Sequence, residues 1–168
     1  LVGVVAVGAI TYAPKIFAAS APTASATASP EDQKVQSGID QANAGDFQAA
    51  KATFLDVLTR DPGNALANYN LGVLAQQLGN FGEAIGYFDK ALATDPTFTS
   101  AMYNKAILVE SASRDTAIEL YRKIIELKPD ASTAYFRLSL LLDKAGDTKE
   151  AAAMRDKAIE LDPTLANG

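Results

Sequence analysis

Three dipeptides recur along this chain: Tyr69-Asn70, Tyr103-Asn104 and Phe136-Arg137, separated by 34 and then 33 residues. The chemistry they suit is recognition of another polypeptide. A ring supplies apolar contact, Asn can both donate to and accept from a peptide amide, and Arg can pair with a carboxylate. Catalysis is a poorer match, because the chain has no His, Cys or Trp. The usual general base near neutral pH, the commonest transition-metal ligands and any disulfide are therefore missing. The acids that remain stand at expected helix starts (Asp46, Asp147), before prolines (Asp61, Asp95, Asp162) or among surface Lys and Arg, where capping and solvation account for them. No catalytic residue, metal site, cofactor or small-molecule substrate is expected.

The elements that must carry these dipeptides follow from a second periodicity. Proline recurs at Pro62, Pro96, Pro129 and Pro163, in steps of 34, 33 and 34 residues, each time closing an amphipathic segment. Small residues fall together at Ala50, Ala84, Ala117 and Ala151, and bulky ones at Phe54, Phe88 and Tyr121, with Arg155 breaking the pattern in the last unit. Gly45-Asp46-Phe47, Gly79-Asn80-Phe81 and Gly146-Asp147-Thr148 mark a turn inside the unit, where glycine ends one helix and Asp or Asn caps the next. In the third unit Ser111-Ala112-Ser113-Arg114 stands there instead, one residue short. Units of this size read as stacked helical hairpins, none of which buries its apolar face alone.

On these residues the chain resembles the tetratricopeptide repeat family over roughly residues 31 to 165, as units 31–64, 65–98, 99–131 and 132–165. The second unit carries the pattern most fully, through Asn68, Leu71-Gly72, Ala84, Phe88 and Asp95-Pro96. Asn68 stands where the family has Trp and Ala75 where it has Tyr. The first unit keeps Gly38, Ala50, Phe54 and Pro62 as its anchors. The resemblance implies an all-α fold, an α-solenoid of four helix-turn-helix repeats, whose first helices line a concave face. That face would present Tyr69, Asn70, Tyr103, Asn104, Phe136 and Arg137. Two readings of them stay open: a groove for an extended or helical peptide, or rings that pack between units. Some family members clamp a C-terminal carboxylate with Lys, Arg and Asn. Asn70, Asn104 and Arg137 suit parts of such a clamp, but Tyr69, Val73 and Thr133 replace its other members, so the clamp is not expected.

All 20 acids and all but one of the 15 Lys and Arg lie in the repeats, and the outlying base is Lys15. An acidic solenoid lacks the clustered cations that phosphate binding needs, so nucleic acid is not an expected partner. The N-terminus differs sharply. Residues 1–17 form an apolar element, uncharged up to Lys15, and 18–30 an Ala/Ser/Thr/Pro linker with no charge. The linker cannot join a core and reads as a tether.

Thirteen apolar residues fall short of the roughly 20 that a spanning helix needs, although extension to Ala19 with Lys15 snorkelling comes close. Three readings compete: the outer part of a spanning helix that starts before Leu1, a residual signal peptide with Ala19-Ser20-Ala21 as cleavage site, or a segment that packs into an assembly as in a pilin. The expectation is a non-catalytic scaffold or assembly subunit, anchored to a membrane or envelope complex through residues 1–17, with its repeats on the extracytoplasmic side. A soluble or secreted peptide-binding adaptor is the alternative. The last helix, with Arg155, Asp156 and Lys157, reads as a solvating cap whose Ala151, Met154, Ala158 and Leu161 rely partly on a neighbour.

Overall fold

The computed structural model describes residues 29–167, which form eight helices and a terminal 3-10 turn, with no strand among the described residues. The helices pair as four hairpins: α1 Pro30–Asn43 with α2 Phe47–Arg60, α3 Ala65–Gln77 with α4 Phe81–Thr94, α5 Thr99–Val109 with α6 Arg114–Leu127, and α7 Ser132–Ala145 with α8 Thr148–Leu161. Each helix packs on the next in sequence, and α1 also reaches α3. The α-solenoid of four hairpins expected from the spacing is therefore the fold. The anchor at 1–17 and linker residues 18–28 lie outside the described residues. Among the described residues, no helix is long and apolar enough to cross a membrane.

Two residues assigned to the linker belong to the first helix. The Ser29 hydroxyl accepts from the Asp32 N–H at 3.1 Å, and the Ser29 N–H donates to the Asp32 carboxylate at 3.1 Å. With Pro30 in the first turn, this closes a capping box that fixes where α1 starts. The other hairpins use the signals seen in the sequence. Asp46, Asn64 and Asp147 each cap a helix by accepting a backbone N–H. The residues before the four prolines, Asp61, Asp95, Lys128 and Asp162, leave helical geometry, as the proline ring demands of its predecessor.

Three of the four inner turns pass through a left-handed glycine: Gly45, Gly79 and Gly146 have φ of +83°, +77° and +90°. The third hairpin dispenses with one. There α5 ends early at Val109, Glu110 stays right-handed, and Ser113 leads into α6. That shorter α5 is the structural form of the 33-residue step.

Close helix approach builds the core. Phe54, Phe88 and Tyr121 are fully buried, as are Ala50, Ala84 and Ala117. Gly38 and Gly72 lie under the first two rings: a Cβ there would stand 2.5 Å and 2.6 Å from the Phe54 and Phe88 rings. In the last unit Arg155 occupies the ring position, and the space opens as a cleft of about 210 Å³ lined by Ser139, Asp143, Thr148, Ala151, Ala152 and Arg155. The Arg155 guanidinium instead lies over the Phe136 ring, 5.9 Å from its centre. The terminal helix needs less help than expected. Ala151 and Ala158 are buried, Met154 and Leu161 half-buried, and the turn Pro163–Asn167 packs back on α8.

Candidate partner-binding face

The six residues singled out in the sequence lie on the first helices α3, α5 and α7, but they do not share one environment. Tyr69 is 8% exposed, its ring 4.8 Å from Phe98 and 5.9 Å from Phe88. Its hydroxyl accepts from the Asn104 amide at 3.2 Å, which joins the second unit to the third. Burial pushes the Tyr69 pKa up, and the Asn104 bond opposes that in part. Tyr69 thus does what the packing reading expects of it.

Asn70 departs from the expectation of a surface contact. It is fully buried, its amide donates to the Leu66 carbonyl at 2.8 Å, and its Oδ1 has no hydrogen-bond partner. An Asn at this register is polar in sequence, but α3 runs between α1, α2, α4 and α5 and is buried continuously from Ala67 to Ala75. Asn68 is enclosed too. It donates to the carbonyls of Asn64 (2.9 Å) and Pro62 (3.2 Å), tying α3 to the preceding turn where the family has an indole.

The second half of the face is more open. Tyr103, Asn104, Phe136 and Arg137 are all half-buried. The Tyr103 ring meets Tyr121 edge-on at 5.8 Å. Arg137 is already paired with a carboxylate of its own chain, Glu110, at 3.3 Å. Glu110 also accepts from the Tyr121 hydroxyl at 2.6 Å. Burial first, and then this bond and the Glu110 charge, push the Tyr121 pKa well above the ordinary tyrosine range. Burial alone would lower the Arg137 pKa, but Glu110 and the hydroxyls of Tyr103 and Tyr121 outweigh it and hold the guanidinium charged.

Sequence reasoning missed Glu110. A signal existed: Tyr121 stands where the other units have Phe54 and Phe88, and a buried hydroxyl needs a partner. The glycine-free turn supplies it by ending α5 so that Glu110 lies beside both Tyr121 and Arg137. Chemically, the half-exposed surface offers two rings, one amide and a half-neutralised guanidinium, which suits a polypeptide with a carboxylate or backbone carbonyl to present. Among the described residues no group of acids is arranged to hold a metal ion.

Comparison with known proteins places this architecture. A family model described as tetratricopeptide repeat matches residues 35–97 and 107–166. A TPR repeat-containing protein of Methanocaldococcus jannaschii is 27% identical over 131 residues, covering 76% of this chain and 23% of that protein. The chain therefore spans about a quarter of that relative's length. Photosystem I assembly protein Ycf3 of Acaryochloris marina is 29% identical over 118 residues, covering 67% of this chain and 71% of Ycf3. Among solved structures, that of MamA superposes with a TM-score of 0.72 at 25% identity, covering 83% of this chain and 82% of MamA. With most of its described helices matched by the family model and the whole stack reproduced in MamA, the chain belongs to the tetratricopeptide repeat family.

Proposed function

We propose that this protein is a non-catalytic scaffold or assembly subunit that holds another protein on the face formed by α5 and α7. The observation that carries the reading is the half-exposed set Tyr103, Asn104, Phe136 and Arg137, repeated at one register on consecutive first helices. Kinship supports it: one relative is named as an assembly protein of photosystem I. The apolar residues 1–17 would fix the scaffold to a membrane or envelope complex. The uncharged Ala/Ser/Thr/Pro spacer that follows favours repeats on the extracytoplasmic side.

Two measurements test this. With the partner recovered on full-length protein, Asn104→Ala should weaken binding about tenfold, and the exposed outer-helix control Lys90→Ala should not. Equal affinities for both would move the contact elsewhere. Full-length protein should fractionate with membranes, and a chain lacking residues 1–28 should not. Recovery of the full-length chain in the soluble fraction would favour the peptide-binding adaptor.

A further inference from the structure

The apolar N-terminal segment has a second place to go. On α3, Leu66, Asn70 and Val73 fall on one stripe: Asn70 bonds the Leu66 carbonyl one turn back, and Val73 follows three residues on. Leu66 is half-buried, Val73 is 6% exposed and Asn70 is fully buried, yet the Asn70 Oδ1 has no donor. The equivalent stripe farther along, with Tyr103, Asn104 and Arg137, is half-open and has its polar groups engaged. The first half of the inner face is therefore apolar and carries an acceptor that lacks one N–H.

We propose that residues 1–13 of this chain dock along the Leu66–Asn70–Val73 stripe of α3, a backbone N–H of the segment donating to the Asn70 Oδ1. Charge selects this end of the face: the segment has no ionisable side chain, so it gains nothing beside Glu110 and Arg137 and loses nothing beside Leu66 and Val73. Reach permits it. Fifteen residues separate Ala13 from Ser29 and extend to about 50 Å, whereas a helix of fourteen residues such as α1 is about 21 Å long. Gly3 and Gly8, without a Cβ, let that backbone approach closely. The segment cannot lie in a bilayer and on α3 at once, so anchorage would uncover the stripe. This docking goes beyond the scaffold reading and does not depend on it.

The chain has no cysteine, so engineered pairs report cleanly. Full-length protein carrying Val7→Cys with Leu66→Cys, oxidised in dilute buffer without lipid, should form an intrachain disulfide several-fold more than Val7→Cys with Lys90→Cys on the outer helix. Val7→Cys with Val73→Cys, a milder change in the core, should behave as the Leu66→Cys pair does. Adding Val5→Asp should return the yield to the control level while the helical signal stays constant. Inner-face pairs that link no better than the outer control would overturn the proposal. Linkage only between two chains would also overturn it, making a second copy the occupant. Partner affinity is not read here, so the scaffold reading stands or falls separately.

Discussion

The first two repeats and the last two are built on one plan and yet present different inner faces. In the first half, Gly38 and Gly72 let the Phe54 and Phe88 rings sit directly against the first helices, and α3 is enclosed from Ala67 to Ala75. In the second half, Tyr121 brings a hydroxyl into the core, Glu110 answers it, Arg137 pairs with Glu110, and Arg155 replaces the last ring altogether. One register thus yields a closed apolar half and a half-open polar one. The repeat dictates where a side chain stands, and its neighbours dictate whether water or a partner can reach it.

If the closed half carries most of the packing energy, its rings should matter far more than their counterpart at the far end. Phe88→Ala removes a fully buried ring beneath α3 and should cost about 3–5 kcal/mol, read from chemical denaturation. A loss below about 1 kcal/mol would erase the contrast. Gly72→Ala tests the close approach itself: a Cβ there would sit 2.6 Å from the Phe88 ring, so overpacking by about 1–3 kcal/mol is expected. No change in the denaturation midpoint would mean that the ring simply moves aside.

The polar half should reveal itself in alkali. The raised pKa of Tyr121 means that the folded state holds its phenolic proton more tightly than the unfolded state, whose tyrosine titrates near 10. The stabilisation is complete below about pH 10 and is lost as pH rises above it. Denaturation midpoints should therefore fall between about pH 9 and 11.5, and Tyr121→Phe should flatten that fall. An identical slope in the variant would assign it to other groups.

The smallest effect belongs to the end of the stack. Arg155→Ala gives up its place over Phe136 and should cost no more than about 0.5–1 kcal/mol, whereas a core-sized loss there would show that the last unit is packed like the first two.

Much of this was legible beforehand. The prolines, the inner glycines and the small and bulky positions set four hairpins, because turn chemistry and close packing restrict those places to few residue types. Even the start of α1 was readable: Ser29-Pro30-Glu31-Asp32 is a capping box with proline in the first turn, although composition alone assigned its first two residues to the linker. The face was harder. Asn70 and Asn104 look equivalent in the sequence, but periodicity gives direction and not cover, and only the packed neighbours show that one is enclosed and the other half-open. Arg137 looked free because its partner, Glu110, comes from a turn that departs from the repeat.

Because each helix leans mainly on its neighbours in sequence, assembly of the stack can keep pace with synthesis. At roughly 5–20 residues per second, one 34-residue unit emerges in roughly 2–7 s, and helix pairs with local contacts form in far less time than that. Each hairpin then has the finished one before it as a template and waits for nothing downstream. The apolar stretch at residues 1–17 is made earlier than any surface that could receive it, so a growing chain carries that stretch unprotected for several seconds, the interval in which a targeting machinery or chaperone would meet it first.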